Sequence, residues 1–501
     1  MKFKKSLDSL LLEASESGEH TLRRTLGPGN LIALGVGGII GAGLFVRTAV
    51  AAADHAGPAV TLGFILAAVG CALAGLCYAE FASMIPVAGS AYTYTYATMG
   101  EVLAWIVGWD LILEYGVASA AVAIAWSEYL NKLLETFGLV IPYTWCHSPF
   151  QTSIEGIQGV MNLPALLIIT IISLLLIRGM KESVVLNMIM VVIKLAIVIT
   201  FVAIGWSYIN PANHIPYIPQ NVSEIKLMNG EISFWDHITS GEFGKFGWGG
   251  IVSAAGVVFF AFIGFDALST TAQECKNPKR DLPIGILGSL VICTLLYVSF
   301  GYVLTGVANY KEFDLAGKEA SVTYVINTYM HNHQWLSISI TVAILAGFTS
   351  VILMTLLGQS RLFFSMSKDG LIPKLFSTIH PRFKTPYQSN LVFMVLAGLF
   401  AAFIPGDVIG DMTSIGTLFA FALVCLGVLI LRKTDPARPR AFKTPFMPVV
   451  PILGIVVCVV MMYGLGRHNW ERLLIWMAVG LLVYFIYGIR NSLVRKQQGG
   501  L

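Results

Sequence analysis

Twelve apolar stretches, each about long enough to cross a bilayer, run the length of the 501-residue chain. A helix needs roughly 20 apolar residues to span about 30 Å of hydrocarbon, where every backbone polar group must find a partner within the protein. The stretches fall at about 30–53, 59–84, 95–130, 161–178, 184–208, 249–273, 283–307, 335–366, 389–404, 409–431, 448–466 and 471–489. Loops of any length are expected only at about 131–160, 209–248 and 308–334. Composition removes the soluble alternative. The chain is 56% hydrophobic and 12% charged, whereas a soluble chain carries about a quarter charged residues.

The basic residues test the count. With the N-terminus inside, 23 of the 32 Lys and Arg fall in inside segments, 8 in outside loops, and Lys194 within a span. Cytoplasmic segments retain positive charge, so the bias predicts an even number of spans with both termini cytoplasmic. The formal charge of +4 then reports sidedness, and no nucleic-acid partner is expected. Lys2, Lys4 and Lys5 precede only Leu10–Leu12, too short an apolar run for a signal peptide. Residues 1–28 are expected to form a cytoplasmic lead-in. Five of the seven cysteines lie in apolar runs and no CxxC occurs, so neither a zinc-type site nor a structural disulfide is expected. The loops hold no nucleophile–base set, phosphate loop or metal cluster. An enzyme is not expected, and no catalytic residue, metal or cofactor is assigned.

Two spans carry break signals. The first reads Gly35-Val36-Gly37-Gly38-Ile39-Ile40-Gly41-Ala42-Gly43-Leu44, a poor helix by propensity. If it unwinds at Gly41–Gly43, amides at the start of the outer half-helix point into the membrane centre and can hold a carboxylate. The alternative is a close-packing glycine face. The sixth span places Gly264 beside Asp266, an ionisable residue deep in a span. Spans one and six open two five-helix halves, and interrupted helices at matching positions point to a transporter's binding site. Glu114 lies near the middle of span three. Lys194 lies about ten residues into span five, roughly 15 Å from its nearer end. Lys194 is either a structural contact or a group that gains and loses a proton during a transport cycle.

Other features read blandly. Asp110 and Glu128 are expected to be interior hydrogen-bonding residues or to lie near span ends, and Glu80 to make a helix-end or inter-helix contact. The Tyr92-Thr93-Tyr94-Thr95-Tyr96 run reads as an amphipathic interfacial turn, and Arg438-Pro439-Arg440 as a solvated loop meeting lipid headgroups.

Several stretches together resemble the amino acid–polyamine–organocation transporters, in the bacterial branch similar to cationic amino acid transporters. They are Gly37–Val46, Pro86-Val87-Ala88-Gly89-Ser90-Ala91-Tyr92, Glu114–Ala123 and Phe262–Asp266. Glu274 with Asn277–Pro283, Gly358–Arg361 and Lys368–Leu371 complete the ordered set. The resemblance implies an all-α membrane protein with the LeuT-like five-plus-five inverted repeat and two appended helices. It divides the chain into a cytoplasmic segment 1–28, a first repeat 29–208, an extracellular loop 209–248, a second repeat 249–432, helices eleven and twelve over 433–490, and a cytoplasmic tail 491–501. It implies that a substrate carboxylate meets the amides of Ile40, Gly41, Ala42 and Gly43. The ammonium would meet carbonyls of Ile39, Phe260, Ala261 and Ile263, with Phe265 helping to close the pocket. Lys194 falls where sodium-coupled relatives bind sodium, which implies proton coupling, and Glu114 is implied as a span-three residue near the substrate or the proton path. Met354 stands where arginine carriers have a smaller residue, so small or medium neutral L-amino acids are favoured over cationic ones.

The expected function is therefore a proton-coupled amino acid symporter of the plasma membrane, the bacterial inner membrane in particular, with amino acid, protons and lipid as partners. The alternatives are a cationic amino acid carrier or an amino acid/polyamine exchanger on the same fold. A partner-dependent arrangement needs a cysteine in the second outside loop, where Cys146 lies. No obligatory protein partner is expected.

Overall fold

The computed structural model describes residues 3–7, 10, 26–85, 89–153, 156–230, 244–272, 275–313, 321–330 and 334–499. Among them are helices and connections but no named strand. Pro86, Val87, Ala88 and Glu274, part of the family-like stretches, lie outside the described residues.

Among the described residues, eight helices are long and apolar enough to cross a membrane and four shorter apolar ones stand with them, and they are numbered as spans in chain order. Span one is Pro28–Ile39 and then a run from Ala42 to Ala56, and span two is Val60–Met84. Span three runs from Glu101 to Thr136 with a π-helical turn at Ile112–Val117; spans four and five are Leu163–Arg178 and Met180–Gly205. Span six is Gly247–Phe259 and Ala267–Thr270 with an irregular stretch between. Spans seven to eleven are Pro278–Val307, Gln334–Lys368, Tyr387–Phe403, Gly406–Thr434 and Val449–Gly464, and span twelve begins at Arg467 and ends at Asn491. Local chemistry sets several ends. The Asn162 side chain accepts from the Ala165 amide and starts span four, and Gly179, at φ 139°, is the only residue between spans four and five.

Burial separates inner from outer helices. The most apolar windows of spans six, three and eight are 94%, 83% and 83% buried, against 28% and 22% for spans five and twelve. Span eight packs on spans three and five, and span seven on spans one and two. Exposed aliphatic side chains such as Val192, Ile171, Leu399, Val456 and Ile475 cover the outside, where lipid replaces water as solvent.

The two ends of the chain meet on one face. Gln498 Nε2 donates to Lys4 O at 3.1 Å, and the Arg495 guanidinium sits 4.4 Å from the Phe3 ring centroid. Such a meeting requires an even number of crossings.

Two expectations need correction. The tyrosine run is not an interfacial turn. It forms a separate helix, Ser90–Thr98, every residue of which is buried, between Gly89 and Gly100 at φ 155° and 97°. Tyr92 and Tyr96, one turn apart, donate to Asp369 and Glu101, while Tyr94 stacks on Phe81 at 4.9 Å. Arg440 is not solvated. It is buried against Glu80 at 3.0 Å and also donates to the Asp435 and Arg438 carbonyls. Arg432 holds the same carboxylate, bonding one oxygen at 2.8 Å and the other at 2.9 Å, and the Thr444 amide adds a bond at 2.7 Å. Glu80 thus ties span two to span ten and the loop beyond it.

Candidate functional site

Span one breaks at Ile40, whose backbone is extended at φ −74° and ψ 108°. The Ile40 amide still closes onto Val36 O at 3.0 Å, and helix resumes at Ala42. The amides of Gly41, Ala42 and Gly43 stand at this restart, where a helix offers no internal acceptor. On the other side of the break, carbonyls lose their helical donors and Lys194 replaces them. Its Nζ donates to Gly37 O at 2.6 Å and Ile40 O at 2.8 Å, and lies 3.5 Å from Ser350 Oγ. The Ser350 hydroxyl lies 3.0 Å from Gly37 O and 2.6 Å from Asn187 Oδ1. Asn187 and Lys194 are two turns apart on one face of span five. An ammonium has three donors and no acceptor, which suits it to capping a broken helix.

Span six breaks directly beside this point. Phe260–Phe262 tighten into a 3₁₀ turn, Ile263 is extended at ψ 136°, and Gly264 takes φ 115°. A Cβ at Gly264 would also lie 2.9 Å from Gly38 O, so only glycine fits. The Tyr297 hydroxyl of span seven lies 2.9 Å from Ile39 O and 2.8 Å from Ala261 O, bridging the two unwound segments. The glycines of span one also pack closely. A Cβ at Gly43 would stand 2.1 Å from Ala261 Cα, and one at Gly37 would stand 2.6 Å from Asn187 Nδ2. Both readings posed by the sequence therefore hold, because the helix breaks where its glycines also let neighbours approach.

The breaks border a small cavity. Gly38, Ile39, Gly41 and Gly43 form one wall and Phe260 and Ile263 another; Ala118 and Val122 of span three and Val351 and Thr355 of span eight complete it. No charged side chain lines it. The Arg47 guanidinium lies 5.5 Å from the Phe260 ring centroid, beyond the cavity along span one.

A buried acidic group lies on the termini side of the cavity. Glu114 sits in the π-helical turn of span three, a distortion frequent at functional sites. Its carboxyl faces Asp266 and Thr417, and Tyr115 Oη donates to Asp266 Oδ2. Neither Glu114 oxygen, nor Asp266 Oδ1, has a hydrogen-bond donor among the described residues. Ionised carboxylates have acceptors only, so neither group can satisfy the other without a proton.

Paired broken helices around a small cavity are a transporter's architecture, and comparison with known proteins decides which kind. The amino acid permease family matches residues 26–484. The chain belongs to this family. It is an all-α, multi-pass permease with the LeuT-like fold of the amino acid–polyamine–organocation superfamily, and a transporter rather than an enzyme. It is 42% identical to the branched-chain amino acid permease of Bacillus subtilis, over 98% of both chains. It is 39% identical to the methylthioribose transporter of the same organism, over 98% of this chain and 99% of that one. A vacuolar cationic amino acid transporter of Arabidopsis thaliana is 34% identical, over 98% and 96%.

In the permease, five of the residues singled out from sequence line the cavity: Ile39, Gly41, Gly43, Phe260 and Ile263. Ile40 and Ala261 stand behind them with carbonyls held by Lys194 and Tyr297, and Ala42 belongs to the helix restart. Phe265 packs on Tyr78 and Phe421, at 5.9 and 4.9 Å between ring centroids. Met354 is buried against Gly38, and the wall from span eight is made by Val351 and Thr355. Sequence reasoning missed those two, together with Ala118, Val122 and Tyr297. Cys146 is buried beneath its loop, with its Sγ 3.9 Å from Ile141 O.

Proposed function

We propose that the permease carries neutral aliphatic L-amino acids across the bacterial plasma membrane by alternating access, as a proton symporter with both termini cytoplasmic. The observation that carries this reading is the cavity. Free amides at Gly41–Gly43 suit a carboxylate. The carbonyls of the span-six break suit an ammonium, and the remaining walls, Ala118, Val122, Ile263, Val351 and Thr355, offer an aliphatic side chain apolar contact and no countercharge. The relative named as a branched-chain amino acid permease supports this substrate class. Ile39 and Ala261 already share the Tyr297 hydroxyl, and each carbonyl keeps a second lone pair for substrate.

Lys194 is the proposed coupling group, with Glu114 as its partner across the site. Its ammonium clamps the two carbonyls that the break in span one sets free, so its protonation state and the shape of the substrate site are one variable. Uptake into proteoliposomes should rise with an inward proton gradient for leucine, isoleucine, valine or alanine, and not for arginine, ornithine or methylthioribose. Lys194→Met should abolish the response to the gradient while counterflow exchange survives. A gradient response that persists in this variant overturns the role of Lys194, and transport of only cationic substrates or methylthioribose overturns the substrate reading.

A further inference from the structure

The connection between spans three and four is nearly free of charge. From Thr136 to Ile177 the chain has one Asp, Glu, Lys or Arg, namely Glu155. Its apolar side chains nevertheless point outward: Phe150 is 78% exposed, Val140 66% and Phe137 65%. They are held there by an ordered loop. Ile141 N donates to Asn131 Oδ1 at 3.1 Å, Gln158 Nε2 to Pro149 O at 2.9 Å, and Val160 N to Thr144 O at 2.8 Å. The last bond ties the backbone at Thr144, next in chain to exposed Trp145, to exposed Val160, three residues before span four begins at Leu163. Span four then exposes Leu163, Leu167, Ile171 and Leu174 along one face, the face turned to lipid. The loop's apolar patch is thus continuous with a lipid-facing stripe, and it adds Trp and Tyr, which favour the membrane–water interface. An apolar patch of this kind in water is an interaction site, and its continuity with span four names the partner.

We propose that residues 137–153 and 156–160 lie in the interfacial layer of the leaflet opposite the chain termini, with lipid headgroups and upper acyl chains covering Phe137, Val140, Trp145 and Phe150. The loop would then anchor span three, whose Ala118 and Val122 wall the cavity, to that leaflet.

Nitroxide labels at Phe150→Cys and Leu139→Cys in the full-length permease, reconstituted in phosphatidylcholine–phosphatidylglycerol vesicles, test this. All seven native cysteines are buried, and unsubstituted protein gives the background. Glu224→Cys, exposed in the next loop on that side, is the aqueous reference. The ratio of collisions with oxygen to collisions with a water-soluble nickel complex should be severalfold higher at 139 and 150 than at 224. Equal ratios place the loop in water and overturn the proposal. Protection from both reagents with spin–spin broadening places a second copy there and overturns it too. If a cysteine variant fails to fold, brominated lipid should quench the tryptophan emission of the otherwise native protein less after Trp145→Phe; unchanged quenching counts against the proposal.

Discussion

Gly38 and Gly43 lie five residues apart on the same broken helix, yet a methyl group would have opposite fates at the two positions. At Gly43 it would stand 2.1 Å from Ala261 Cα, which is backbone and has nowhere to move. At Gly38 the nearest atoms are 3.5 Å away, an ordinary contact. Gly43→Ala should therefore cost more than the about 1–3 kcal/mol typical of overpacking and abolish uptake, with a clear loss of thermal stability in detergent. Gly38→Ala should fold normally and, because Gly38 lines the cavity, raise the KM for leucine more than for alanine. Equal effects on the two substrates would argue against a side-chain pocket at this wall. The Tyr297 hydroxyl joins the two breaks, and its net contribution should be about 1 kcal/mol. Tyr297→Phe is expected to lower leucine kcat/KM about fivefold to tenfold with expression unchanged. Glu114 is a buried carboxyl with no hydrogen-bond donor among the described residues, so if it takes part in coupling, Glu114→Gln should flatten the dependence of uptake on the proton gradient while counterflow exchange remains. An unaltered gradient response would remove Glu114 from coupling.

Among the helices, what the sequence reveals and what it hides have physical causes. The break in span one is suggested by glycines at 35, 37, 38, 41 and 43, poor helix formers by propensity, though 35, 37 and 38 stay helical and the same pattern also suits a close-packing face. The break in span six is readable from Gly264 beside Asp266, since a charge at that depth needs a reason. Helix Ser90–Thr98 is harder to recognise. Its alternating Tyr and Thr look amphipathic in any register, and only the tertiary partners Asp369, Glu101 and Phe81 show why all its faces are buried. That Glu80 makes an inter-helix contact is legible, but its partners are hidden, because they lie more than 350 residues away. Val351 and Thr355 carry no unusual residue type, so the cavity wall they form depends on how span eight is rotated, which packing alone decides. Glu80 offers a test at this scale. Removing one partner of a buried ion pair strands the other, at a cost of about 3–5 kcal/mol. Glu80→Gln leaves the side chain of Arg440, 2% exposed, without its counter-ion. A fall of several degrees in the detergent melting temperature is expected, and a melting curve that overlays the parent's would show the network to be dispensable.

At the scale of the whole molecule, the two chain ends close the face on which they meet. Lys5 Nζ donates to Asp369 Oδ1 at 2.7 Å, at the end of span eight, and Tyr92 donates to the other oxygen at 2.7 Å. Arg495 Nε donates to Glu101 Oε1 at 2.6 Å, at the start of span three, where Tyr484 and Ser492 also bond. Leu493 N donates to Asp369 O and Glu101 N to Phe3 O, at 3.1 Å each, so the N-terminal strip, the tail and the buried helix 90–98 are stitched into one layer. Spans three and eight both wall the cavity, so this layer ties together their ends on the termini side. Opening the cavity to that side requires the layer to part. A state held closed by about 1–2 kcal/mol shifts its population roughly 5- to 30-fold when the clasp is removed. The double change Lys5→Ala with Arg495→Ala should therefore speed modification of Thr355→Cys by a membrane-impermeant maleimide, in vesicles oriented with the termini outward. It should also weaken apparent leucine affinity by a comparable factor if substrate favours the closed form. Unchanged labelling in the double variant would show that the clasp stabilises the fold without biasing which side is open.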